Sequence, residues 1–252
     1  MVKLKTLVNY TNQLLNIEQF KDYCPNGLQI QSGSDINKLL GGVTASRDLI
    51  DAACSHDANA ILVHHGYFWK GENLAITDMK YERISRLMRS DIAVLAYHLP
   101  LDAHPVYGNN AQLAALFGIQ IEGWFARTSG IDIGCYGELP KAQSFADFAK
   151  FLQNTLGREP LSIQGNERKI SKIGWCSGAA QGYLEEAALL GLDAYISGEV
   201  SEHTYHAARE LGINYFAAGH HATERHGVMA LGNHLATQFD IEFEFLDLKN
   251  PV

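Results

Sequence analysis

Short apolar runs that alternate with helical patterns constrain this chain more than any other feature. Lys38-Leu39-Leu40-Gly41-Gly42-Val43, Ala60-Ile61-Leu62-Val63 and Ile92-Ala93-Val94-Leu95-Ala96-Tyr97 have the continuous apolar character of strands buried on both faces. Arg47 to His56 and Tyr81 to Arg89, which separate them, read as helices, so the segment forms βαβ units on a parallel sheet. An amphipathic helix over residues 4–17 precedes it, with Leu4, Leu7, Val8, Leu14, Leu15 and Ile17 at helical spacing. A further helix follows from Ala111 to Phe117, with Gly118 as its stop.

The plan recurs. Ile131 to Gly137 reads as a strand, and Ser144 with Asp147 three residues on resembles a capping box that opens a helix to about Leu156. Lys172 to Cys176 is a strand, followed by the turn Ser177-Gly178-Ala179-Ala180, a helix from Gly182 to Leu190, and strands at Ala194 to Ser197 and Ile213 to Ala217. The phrases starting at Ala58 and Ile92 match those starting at Leu192 and Ile213. The expectation is an α/β fold of two intimately packed, pseudo-duplicated lobes, 1–125 and 126–252, with mainly parallel sheets. No stretch resembles a long flexible linker.

With 252 residues, 46% of them hydrophobic, the chain has ample material for packed cores. Cys24, Cys54, Cys135 and Cys176 are far apart with no C-x-x-C pair, which indicates reduced core thiols rather than disulfides or a thiolate zinc site. No apolar segment approaches the roughly 18 residues of a membrane span, so a cytoplasmic protein without membrane partners is expected. A net charge of −8 disfavours a broad phosphate-neutralising surface, and no lysine or arginine cluster stands out in the sequence.

In open parallel sheets the ligand crevice lies beyond the carboxyl ends of the strands. Three of the apolar runs end there on metal-type residues: His64-His65-Gly66, then His98 and Asp102 in His98-Leu99-Pro100-Leu101-Asp102, then His220 and Glu224 in Gly219-His220-His221-Ala222-Thr223-Glu224. Each group alone has a bland account. Adjacent histidines can cap a strand, an aspartate after a turn is commonly solvated, and a glutamate favours a helix start. Adjacent side chains on a regular strand also point to opposite faces, so His64 and His65 share a site only where the strand is ending, a freedom that Gly66 supplies. Pro100 is expected to halt the strand and turn the chain toward Asp102.

Taken together, His64, His65, Asp102, His220 and Glu224 exceed the four ligands of a tetrahedral site and suit a pair of divalent ions: zinc, iron, manganese or nickel. His98 is the candidate catalytic group, a proton relay or orienting imidazole. His104, His203, His206 and His226 read as surface or supporting histidines, and Glu199 as a group lining the same cleft or, more simply, as a helix-starting carboxylate. Tyr67, Phe68 and Trp69, directly after the histidine pair, suit either a subunit interface or the wall of a cleft.

The phrase Asn26-Gly27-Leu28-Gln29, the triplet His64-His65-Gly66, the phrase His98-Leu99-Pro100-Leu101-Asp102 followed by Gly108-x-Asn110, and Gly219-His220-x-x-Thr223-Glu224 together resemble the Nif-three-like family, also labelled GTP cyclohydrolase 1 type 2 homologs. The resemblance runs nearly end to end, without the inserted domain of longer members. It implies an α/β fold, a dinuclear centre at His64, His65, Asp102, His220 and Glu224, and a ring-shaped homohexamer. The expected function is a dinuclear-metal-dependent hydrolase of a small, nucleotide- or purine-like substrate. The alternative is a non-catalytic metal-binding ring or scaffold that recruits partners. Nucleic acid is not indicated as a partner, with single-stranded or damaged nucleotides left open as substrates.

Overall fold

Residues 1–252 are described by a computed structural model. In chain order the helices and strands are α1 (Leu4–Leu14), β1 (Gly27–Ile30), β2 (Lys38–Thr44), α2 (Arg47–Ser55), β3 (Ala60–His65), α3 (Asp78–Arg89), β4 (Ala93–Ala96), α4 (Leu99–Ala103), α5 (Asn109–Phe117), β5 (Gly123–Thr128), β6 (Ile131–Gln143), α6 (Phe145–Leu156), β7 (Leu161–Ile163), β8 (Ile170–Trp175), α7 (Leu184–Leu189), β9 (Ala194–Ser197), α8 (Glu202–Leu211), β10 (Asn214–Ala217), α9 (His220–Phe239) and β11 (Glu242–Phe245). They divide into two units, Met1–Leu101 with Gly227–Lys249, and Asp102–His226 with Asn250–Val252. Both divisions fall inside helices, α4 and α9.

The first unit is built on a five-stranded sheet in the order β1-β4-β3-β2-β11. The consecutive apolar runs form its parallel centre, β2 to β3 to β4, because strands connected by right-handed helical crossovers bury both faces. Ser46 starts α2 by accepting a hydrogen bond from the Leu49 amide. Leu49, Ile50 and Ala53 of α2 and Ile84 and Leu87 of α3 then pack on Leu40, Ile61, Val63 and Val94 of the sheet. Truncating one of these buried leucines is expected to cost about 2–5 kcal/mol.

The second unit has six strands in the order β5-β6-β8-β9-β10-β7, with β8, β9 and β10 parallel. Its core joins Trp175, Phe148, Phe216 and Phe117 with Ile173 and Ile196. The buried Trp175 indole is satisfied by donating to the Asn110 carbonyl at 2.9 Å. Ser144 caps α6 as its capping-box pattern anticipates, and Gly118 ends α5 in the left-handed region at φ 67°.

Topology bears out the internal repeat. In each unit three successive parallel strands lie side by side, and the strand just before them in sequence, β1 or β7, closes the far edge antiparallel to the third. Ala60 pairs with Leu39 and Ala93 as Ala194 pairs with Ile173 and Asn214. This register makes Glu199, five residues after Ala194, the counterpart of His65, five after Ala60.

Three local expectations change. The opening helix stops at Leu14, because Asn16 adopts a left-handed conformation before a short 3-10 turn at Ile17–Gln19. Strand β3 runs through His64 and His65 rather than ending before them. After Tyr97 the chain enters the short helix α4, in which Pro100 is the second residue; there its missing amide costs nothing, so it supports a helix start instead of a turn.

Candidate metal centre

At the carboxyl end of β3 the rings of His64 and His65 lie 4.6 Å apart, and His98, just past β4, is 5.0 Å from His64 and 5.8 Å from His65. Ring nitrogens of all three fall within 4.8 Å of one another, a spacing that suits a shared cation. Being the last two residues of the strand lets neighbours of opposite pleat meet. Gly66 contributes space rather than unusual backbone: a Cβ there would sit 2.1 Å from Gln29 Oε1 and 2.6 Å from Ala96 Cβ. The same Gln29 side-chain oxygen, Oε1, accepts from the Tyr67 amide at 2.6 Å and so fixes the chain leaving the histidine pair.

Hydrogen bonds set the tautomers. His64 is buried, and its Nδ1 is 2.9 Å from the Tyr97 carbonyl, which only accepts; Nδ1 therefore carries the proton and Nε2 the lone pair. His98 is oriented the same way by Asp22, whose Oδ1 lies 2.7 Å from Nδ1. The Asp22 side chain, 2% exposed, also accepts from the Asn26 side chain and from the Tyr23 and Leu99 amides. Burial opposes its ionisation, but the hydrogen bond and charge of His98, with Asn26 and the Tyr23 amide, hold its carboxyl below the usual range. Asn26 accepts from the His98 amide as well, so the Asn26-Gly27-Leu28-Gln29 phrase clamps the histidine cluster from behind. Trp69 walls it, 5.0 Å from His98 and 5.8 Å from His65. Tyr67 is a core residue, 5% exposed, and is no interface aromatic.

In the second unit Asp102 is buried, and its Oδ1 accepts from the Asn109 side chain at 2.9 Å and the Ser177 hydroxyl at 2.8 Å. Asn110 holds Ser177 in turn, accepting from its amide and donating to its hydroxyl. At the start of α9, His220 Nε2 meets Glu224 Oε2 at 3.1 Å, as their four-residue helical spacing requires, and Nδ1 meets Glu199 Oε1 at 2.7 Å. Burial disfavours the His220 cation, but hydrogen bonds and charges from Glu224 and Glu199 outweigh it and push the imidazole up to about 9. Two carboxylates around one imidazole thus stabilise positive charge. The turn after β8 leaves room for them. Gly178 has φ +66°, and a Cβ on it would lie 2.2 Å from Glu224 Oε1.

The imidazole and carboxylate donors fit zinc, iron, manganese or nickel. Of the two readings of Glu199, the helix-starting one falls, since α8 begins only at Glu202, and the side chain lies instead beside the candidate ligand His220. Its place opposite His65 in the repeat was the available signal. Asp22, Asn109 and Ser177 were missed as orienting groups; only Asn26 and Asn110 stood out, within motifs. His203 and His206 are exposed on α8, and His104 instead fixes a turn by accepting from the Val106 and Tyr107 amides. The thiols of Cys24, Cys135 and Cys176 are buried and pushed up by burial first, Cys24 to about 12, which keeps them protonated.

A sequence model of Duf34/NIF3 (NGG1p interacting factor 3) matches residues 2–251. The chain belongs to the NIF3 family. It is 49% identical over 250 residues to a Pseudomonas aeruginosa protein named GTP cyclohydrolase 1 type 2 homolog, covering 99% of each chain. An Escherichia coli protein of the same name is 43% identical, covering 99% of this chain and 100% of that one. Among solved structures, protein ybgI, described as of unknown function, matches with a TM-score of 0.95 at 43% identity over 100% of both chains. A Thermus thermophilus protein matches with a TM-score of 0.88 at 30% identity, again over 100% of both. No helix is long and apolar enough to cross a membrane.

Proposed function

We propose that His64, His65, Asp102, His220 and Glu224 hold a pair of divalent ions and that the protein is a metal-dependent hydrolase of a small, nucleotide- or purine-like substrate. The observation that carries this reading is the geometry at His220, whose Nδ1 lies 2.7 Å from Glu199 Oε1 and whose Nε2 lies 3.1 Å from Glu224 Oε2, so that an imidazole and two carboxylates gather the donor types a divalent cation takes. Bound divalent ions would supply water activation near neutral pH and polarisation of the bond to be cleaved.

The remaining work falls to side chains of this protein. Asp22 keeps His98 Nδ1 protonated, so His98 Nε2 is the atom that takes a proton from attacking water and returns it to the leaving group. Asn109 and Ser177 fix one oxygen of Asp102, which orients the carboxylate for coordination. Trp69 shields the imidazoles from bulk water and offers an aromatic face to a planar substrate. The names of the Pseudomonas and Escherichia relatives point to ring-opening of a purine, and phosphoester hydrolysis uses the same groups.

Protein loaded with each of the four metals should be screened against purine nucleotides, pterin precursors and phosphoesters. Turnover lost in His98→Gln, with metal content retained, supports the hydrolase. Saturable partner binding with no turnover on any substrate would support the scaffold instead.

A further inference from the structure

A second feature of the first unit lies on its helical face and shares no residue with the proposed metal ligands. Between α2 and α3 there is a cavity of about 310 Å³ whose lining includes Arg47, Arg83, Arg86, Arg89, Glu82 and Ser90. Arg83, Arg86 and Arg89 follow one another at three-residue steps on α3, and the fold adds Arg47 from the start of α2. Arg86 is engaged by Asp51, Nε to Oδ1 at 2.7 Å. Four guanidinium groups set against Glu82 and Asp51 leave two positive charges around one small space. Arg83 Nε is buried and has no hydrogen-bond acceptor. A buried donor of that kind costs about 1–3 kcal/mol unless a partner arrives.

We propose that this cavity is a binding site for a phosphate- or pyrophosphate-bearing small ligand. The guanidinium fork matches phosphate oxygens two at a time, and four arginines on one lining offer more donors than the two oxygens of a single carboxylate can use. The uncompensated charge matches a dianion. Hydroxyls of Ser85 and Ser90 add donors on the same lining. The volume of about 310 Å³ lies at the lower end of small-ligand pockets, which suits a phosphate or pyrophosphate group with a small organic moiety attached. A polynucleotide is disfavoured, since the cations line one small concavity and the chain as a whole carries −8.

The test is isothermal titration of the metal-free full chain with inorganic pyrophosphate, orthophosphate and adenosine monophosphate at fixed ionic strength, with chloride and acetate as comparison anions. Metal-free protein prevents phosphate from binding through the proposed dinuclear centre, so the outcome is independent of that reading. Saturable binding of at least one phosphate species, weakened tenfold or more by Arg83→Gln and by the exposed Arg89→Gln, is the expected result. Pyrophosphate binding more tightly than orthophosphate would assign a diphosphate, and equal affinities a single phosphate group. Arg89→Gln keeps the test meaningful should Arg83→Gln fold poorly. The proposal is overturned by the absence of binding at millimolar phosphate, by acetate or chloride binding equally well, or by affinities unchanged in both folded variants.

Discussion

Replacing Gly178 with alanine places a methyl group where Glu224 now sits. The added Cβ would lie 2.2 Å from Glu224 Oε1 and 3.3 Å from His220 Nε2. Carbon and oxygen do not approach below about 3.0 Å, so Oε1 must retreat by 3.0 − 2.2, about 0.8 Å. The Glu224 side chain is only 3% exposed, which gives it little room to do so. Backbone strain adds to this, because alanine at φ +66° costs about 1–2 kcal/mol, or roughly 2–8 °C in Tm for a chain of this size. Gly191 separates the two effects: its φ is +72° and nothing lies within 4 Å of an added Cβ, so Gly191→Ala carries the strain alone. Both variants should lose stability in calorimetry, but only Gly178→Ala should lose affinity for zinc or manganese, by tenfold or more, about 1.4 kcal/mol. Folded Gly178→Ala that binds metal as tightly as Gly191→Ala would refute the role given to Glu224.

Asp22 makes the first unit sensitive to acid. Its folded carboxyl is held below the unfolded value of 3.8, so its contribution is fully present above that value and is lost as pH falls through the lower folded one. Below about pH 4 the wild type should therefore lose stability more steeply than Asp22→Asn, and parallel curves in a urea series would show that the carboxylate is unimportant. In Asp22→Asn the His98 ring also loses its anionic partner, and any hydrolysis should fall mainly in kcat with KM little changed; a change confined to KM would remove His98 from proton transfer. Light scattering at micromolar concentration should report about six chains per particle if the ring assembly expected from the family holds, and a stable monomer would exclude it.

The parallel centre of each sheet was legible because β4, β9 and β10 are buried along their whole length, and β3 up to His64, and so read as nearly continuous apolar runs. The edges were not. β1 and β7 are three or four residues long, and β11, Glu242-Phe243-Glu244-Phe245, returns to pair with β2 from the far end of the chain, a contact that no local pattern announces. The candidate ligands stood out because histidine and carboxylate at strand ends are chemically conspicuous. Their orienting partners did not, since Asp22 lies 76 residues from His98 and Ser177 lies 75 from Asp102. Gly66 was legible as a special position, but for conformational freedom, whereas the structure needs it for close packing under Gln29 and Ala96.

The proposed function requires that His64, His65, Asp102, His220 and Glu224 hold divalent ions as a pair. Titration of chelator-stripped protein with manganese, followed by electron paramagnetic resonance and elemental analysis, tests it most directly. About two ions per chain with the spectrum of spin-coupled neighbours are expected, reduced in His64→Asn and in Glu224→Ala. Protein that remains manganese-free, or that takes up magnetically isolated ions unaffected by either substitution, would contradict it.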